Sequence, residues 1–251
     1  MNHVDAMNLV QHGCVNNATA LPYDGLMSGT TSPDARFQRA RSREAKDRRE
    51  TAILDAAREL AGNGRVRDVT LTDIAAAVGL HKSAMLRYFE TREEIFLRVT
   101  ATEWTSWADE LVTLLHRGGS RTSQDVAADL AATLARRGTF CDLLAQAPLN
   151  LERNVSVEAV RRFKLVTHEQ LDRIVEAMRE TLPRLTAEQG VDVIAAATAM
   201  AGAFWQIATP GPEVAELYRA DPLLGHAVFD IEPRLQRMIA AMLRGFADEQ
   251  A

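Results

Sequence analysis

Apolar positions recur at helical spacing along most of the chain from about residue 49 onward, and hardly at all before it. Ile53, Ala56, Ala57, Leu60 and Ala61 fall on one side of a helix predicted over Arg49–Ala61. A second, short helix is predicted from Leu71 to Val78. Thr70 stands in its N-cap position with Asp73 three residues on, and Ile74, Ala75 and Val78 share a face. Gly79 supplies the left-handed residue that ends this helix, and Leu80 is placed to pack back over the turn. On the next helix, from about His81, Met85 and Phe89 lie four residues apart and point inward, leaving His81, Lys82, Ser83, Leu86 and Arg87 outside. Two helices joined by a short Gly-containing turn form a helix-turn-helix pattern, and a polar, basic N-terminal end suits the major groove of a duplex.

Beyond this pattern the chain reads as a longer series of helices. Thr91, followed by Glu93 and Glu94, opens one over Arg92 to about His116, with Phe96, Val99, Trp107, Leu111 and Leu114 on its buried side and Gly118-Gly119 as its stop. Others follow over Ser123–Arg137, with Ser123 as the N-cap, and over Phe140–Ala147 before Pro148. Ser156 caps a long amphipathic helix to about Leu182 whose inward stripe includes Val160, His168, Leu171, Val175 and Met178, and Pro183 ends it. Thr186 to Gln189 is a capping box opening a helix to about Ala208, rich in Ala and Gly. A short helix near Glu213–Tyr218 leads to a last one over Pro233–Phe246. The expectation is an all-α protein.

The run RRETAILDAARELAGNGRVRDVTLTDIAAAVGLHKSAMLRYFETREEIF, Arg48 to Phe96, resembles the N-terminal DNA-binding domain of TetR-family transcriptional regulators. The segments ILDAAREL, TLTDIAAAVGL, Tyr88-Phe89 and TREEIF carry the resemblance in the right order. It implies a three-helix helix-turn-helix head and a larger helical domain that binds a small molecule and dimerises. The boundaries expected are a flexible, partly basic tail over 1–43, the head over 44–91, and the ligand-binding and dimerisation domain over 92–251. The implied partners are double-stranded DNA, a second copy of the chain and a small-molecule effector. By match to the family motif, Thr72, His81, Lys82, Ser83, Leu86 and Arg87 would read bases, while Thr70, Tyr88 and Arg92 would hold phosphates. The chain departs from the family at Leu86, where Tyr is common, and at His81 and Ser83, where Gly or a small polar residue is. Leu86 donates no hydrogen bond but suits a thymine methyl.

By position, the family's dimer helices correspond to Ala187–Ala208 and Pro233–Phe246. Large or soft groups on the helices that enclose the family's pocket are Trp104, Trp107, Phe140, Phe163, His168, Met178, Met200, Phe204 and Trp205. Few of them are polar, so an apolar or aromatic effector is expected. The mechanism implied is a repressor bound as a homodimer to an inverted repeat and released by that effector, an activator of the same fold being the alternative.

Composition refines this reading at three points. The net charge of −5 conceals a division: residues 1–100 hold 14 basic against 13 acidic side chains, and residues 101–251 hold 15 against 21. Within the first part, Arg36 to Arg49 carries Arg36, Arg39, Arg41, Arg43, Lys46, Arg48 and Arg49 against Glu44 and Asp47, a stretch able to track phosphates. Cys14 and Cys141 give neither a disulfide framework nor metal-ligand spacing, so no metal and no cofactor are expected. With neither a signal peptide nor a membrane span indicated, the expected location is the cytoplasm. A helical enzyme is disfavoured because no nucleophile–base pairing, zinc-binding H-E-x-x-H, Walker loop or G-x-G-x-x-G occurs, so no catalytic residue is named. That rival and a protein-interaction module both predict no sequence-dependent DNA affinity.

Overall fold

The computed structural model describes residues 33–248 apart from 119 and 228. Among them there is no strand. The chain divides into two compact units, Met1–Ser42 and Arg43–Ala251, and the helix-turn-helix and every later helix belong to the second. The part of the expected tail before residue 33 lies outside the described residues. The first helix, α1, spans Pro33–Gly62, so it begins well before Arg49. Its early part lacks an apolar stripe but is built largely of Ala, Arg, Glu and Lys, residues that cost little in a helix.

From Arg43 on, α1 buries Ile53, Ala57 and Ala61, one residue per turn, and is followed by α2 (Leu71–Ala77) and by α3 (Lys82–Met85), a single turn that ends before the expected Phe89. A single 3-10 turn, Val66–Asp68, precedes α2 and buries Val66. The expected capping box is present: the Thr70 side chain accepts from the Asp73 N–H at 3.2 Å, and Asp73 Oδ2 accepts from the Thr70 N–H at 2.8 Å. Gly79 takes φ 64°, its N–H donates to Ala76 O at 3.1 Å, and the Leu80 N–H donates to Ala75 O at 2.8 Å. These two bonds satisfy carbonyls left over at the helix end and set the angle at which α3 departs. Met85 and Phe89 are buried beneath the turn together with Ile74.

The remaining helices are α4 (Arg92–Leu115), α5 (Ser123–Ala135), α6 (Gly138–Gln146), α7 (Val157–Thr181), α8 (Ala187–Ala208), α9 (Pro212–Ala220) and α10 (Ile231–Asp248). A π-helical turn, Ala147–Leu151, follows α6, and a 3-10 turn, Pro222–Ala227, follows α9. The N-cap of α5 is Thr122 rather than Ser123, because Asp125 lies three residues beyond Thr122 and completes a capping box there. Helix α4 packs along α7, α5 along α10, and α6 along α8. Gly202 permits the last contact, since a Cβ there would lie 3.0 Å from the Ala145 backbone nitrogen and 3.3 Å from Cys141 O.

By length and composition alone, α8 is apolar enough to cross a membrane, which the sequence reading did not anticipate. Its apolar residues fall on two faces instead. Val193, Ile194, Ala197 and Ala201 are buried within the protomer, whereas Val191, Ala195, Ala199, Ala203 and Ile207, each four residues from the next, are exposed.

Candidate nucleic-acid interface

The outer surface of the helix-turn-helix is built by exclusion. Once Met85 and Phe89 are committed to the core, the geometry of a short helix leaves its other side chains outward. His81 is the N-cap of α3, and His81, Lys82, Ser83 and Arg87 are all exposed. Leu86 is 57% exposed, a large apolar side chain left mostly in water. Thr72 is exposed on the first turn of α2, and Tyr88 is half-buried against the core. The Thr70 hydroxyl and N–H hold the Asp73 carboxyl below the usual carboxylate range. The cap is therefore fully present above that range and is lost only as pH falls through the lowered value.

Arg92 differs from the expectation of a phosphate contact. Its guanidinium turns inward, donates to the carbonyls of Val66 and Val69, pairs with Glu93 at 3.1 Å and lies 4.7 Å from the centre of the Phe96 ring. The 3-10 turn leaves those carbonyls without helix partners, and Arg92 satisfies them. It ties the approach to α2 onto α4.

Further ties that the sequence reading missed join the same head to the helical body. Arg98 of α4 bonds Glu50 of α1 at 2.9 Å and sits 5.4 Å from the centre of the Phe89 ring. Arg58 Nε lies 2.8 Å from Glu103 Oε1. Glu90 accepts from the Ser156 N–H at the start of α7 at 2.8 Å, which with the Ser156 side chain lowers the pKa of its carboxyl. Asp142 is 4% exposed and divides its oxygens between two elements: the Val66 N–H at 2.8 Å and the Gln206 side-chain amide of α8 at 2.7 Å. An acid inside the apolar run Phe140-Cys141-Asp142-Leu143-Leu144 was the available signal.

Asp142→Ala is expected to leave both donors unpaired and to cost roughly 1–3 kcal/mol. Asp142→Asn, which keeps one acceptor, should cost less. Urea denaturation followed by tryptophan fluorescence measures both, and equal stability of all three proteins would contradict this role.

The residues expected to enclose an effector are not gathered at one place. Trp104, Trp107 and Phe140 pack on one another with ring centres 5.3–5.8 Å apart, and Trp107 Nε1–H donates to Thr133 Oγ1 at 2.9 Å. Met178 is buried, and Phe163 is buried on α7. Met200, Phe204 and Trp205 are half-buried along α8, Phe204 meeting Phe229 edge-on at 5.6 Å. His168 corrects the expected stripe: it is exposed and pairs with Asp172 at 3.0 Å, while the buried face of α7 runs through Phe163, Gln170, Ile174 and Met178.

Two family models match this chain. Residues 53–99 match the bacterial regulatory proteins of the tetR family, and residues 101–250 match the tetracyclin repressor-like C-terminal domain. The chain belongs to the TetR family. Members of this family are DNA-binding regulators rather than enzymes, and the chain shares their helix-turn-helix head and helical C-terminal domain.

Solved TetR-family structures have the same fold. Regulator PfmR from Thermus thermophilus aligns at 15% identity over 76% of this chain and 97% of that one, with a TM-score of 0.50. The T. thermophilus repressor FadR, solved in complex with lauroyl-CoA, aligns at 18% over 79% and 93%, with a TM-score of 0.52. The fatty acid degradation regulator FadR of Bacillus halodurans aligns at 11% over 77% and 94%, with a TM-score of 0.50. At these identities the likeness is one of fold. Among curated proteins none matches.

Proposed function

We propose that this TetR-family regulator is a homodimeric repressor that places its two heads on an inverted-repeat operator and releases it when a small molecule binds the helical body. In this reading the head comprises residues 44–91 and the body 92–251. Base contacts come from Thr72, His81, Lys82, Ser83, Leu86 and Arg87, with Thr70 and Tyr88 at the backbone. The observation that carries the reading is the exposure of Lys82 and Ser83 on α3, and of Leu86 and Arg87 in the turn that follows it, over the buried Met85 and Phe89. Lysine and arginine pair with guanine edges, and a leucine packs on a thymine methyl.

The uncovered row on α8 supports the dimer. Small side chains repeated every four residues let a second helix approach closely, and one protomer leaves them in water. A twofold axis through that row makes the operator an inverted repeat. The effector acts through its difference in affinity for the two head arrangements, and the ties at Glu50, Arg58, Val66 and Glu90 are the contacts it would shift. The site of action is the cytoplasm, where the operator is.

Selection of bound sequences from a random duplex pool tests the function. The expected result is a twofold-symmetric consensus. Recovery of featureless sequence at moderate salt, with binding that vanishes as salt rises, would exclude a sequence-specific regulator.

A further inference from the structure

Along the contact between α4 and α7, close to the head, runs an apolar groove of about 390 Å³. Leu97, Ala101, Phe163 and Val166 form its walls, and Arg98 and Arg162 stand at its edges. The volume falls in the lower part of the range for small-molecule sites, about 300–1,000 Å³. Leu165 on its lip is 53% exposed.

The two guanidiniums are what distinguish this groove from a packing defect. Among the described residues Arg98 makes one side-chain hydrogen bond, to Glu50, and Arg162 makes one, to Glu94 at 3.1 Å. A guanidinium carries five N–H donors, so both retain most of their fork, and a carboxylate is the acceptor that fits such a fork. Glu94, buried and already accepting from the Glu90 N–H at 2.7 Å, is the single acid among the lining residues against those two cations.

We propose that the groove binds a medium-chain amphiphile with one carboxylate head, which engages Arg98 and Arg162 while the tail lies along Leu97, Ala101, Phe163 and Val166. The assignment rests on the reading that the helical body takes an effector, and it narrows the expected apolar or aromatic effector to one that carries an anionic head. It also supplies the link to DNA. Arg98 is the same side chain that ties Glu50 of α1 and stands beside the Phe89 ring, so a ligand carboxylate that draws the guanidinium toward the groove pulls on its tie to the head. Operator and ligand then weaken each other by the same factor, as linkage requires.

The probe is sodium decanoate, titrated calorimetrically into the full-length protein below its micelle concentration, with 1-decanol as the neutral control. Decanoate is expected to bind once per protomer and at least tenfold more tightly than decanol. Affinity should rise along the series from hexanoate by up to about fourfold per methylene while the tail remains in the groove. Arg162→Gln should weaken decanoate tenfold or more and leave decanol unchanged. Ala101→Phe and Val166→Trp, each filling the groove from a wall, should abolish binding of both, with thermal melts showing that each variant is folded.

Equal affinity for acid and alcohol, undiminished decanoate binding in a folded groove-filling variant, or no decanoate binding at all would each overturn the proposal. Operator affinity measured on the same preparation keeps that failure separate from failure of the repressor reading, because an empty groove leaves the heads free to grip DNA. With operator bound, decanoate affinity should fall by the factor by which decanoate lowers operator affinity.

Discussion

Ala199→Glu is expected to convert the dimer to a monomer and to lower operator affinity at least a hundredfold. Ala199 lies mid-way along the exposed row Val191, Ala195, Ala199, Ala203 and Ile207, so in a single protomer the new carboxylate points into water. Exposed substitutions of this kind change folding stability by only about 0.5 kcal/mol either way. Across a twofold helix contact the same residue is buried against its symmetry mate. Two carboxylates then lose hydration in close proximity, at a cost of several kcal/mol to association. A lone head retains half of the contacts and none of the symmetry. Light scattering of the free protein and titration of a labelled inverted repeat measure the two consequences, with Ala199→Ser as the control that keeps close approach. A Glu variant that remains dimeric would move the interface away from this face of α8.

The head was legible because short-range rules determine it. Thr70 with Asp73, Gly79 with Leu80, and Met85 with Phe89 are local patterns, each with a single physical solution, and the structure adopts all three. What escaped was whatever depends on a neighbour distant in sequence. Arg92 looked like a phosphate contact because it opens a helix beside the motif, but two carbonyls left unpaired by the Val66–Asp68 turn claim its donors. His168 sits three, seven and ten residues before Leu171, Val175 and Met178, which is helical spacing. At about 100° per residue, however, it lies about 140° round the helix from Phe163, beyond the face that α4 and α8 cover. The spacing identified an edge of the stripe and not its centre. Asp142, Gln206, Glu50 and Arg98 carry no sequence signal of their pairing, because a polar pair across elements has no periodicity to reveal it. Yet these pairs connect the head to α6, α8 and α4.

Arg87→Ala is expected to remove most of the sequence preference while sparing the fold. Its side chain is exposed and has no described hydrogen bond or ion pair, so truncation leaves nothing unpaired within the protein. On DNA the loss occurs twice, once in each head. A bidentate contact to guanine contributes roughly 1–3 kcal/mol of discrimination, so the dimer should lose roughly 2–6 kcal/mol, at least about 30-fold in affinity for the selected operator. The distribution of that loss identifies the contact. If Arg87 reads a base, binding to operators altered at one symmetric pair of positions falls little further in the variant, because discrimination at that pair has already gone. If it holds a phosphate, affinity drops by a similar factor on every sequence, and the dependence on salt becomes shallower by about one counterion per head. Unchanged affinity on all sequences would mean that the basic end of α3 does not meet the duplex. The reading surface would then have to be sought among the exposed arginines of α1, Arg43, Arg48 and Arg49.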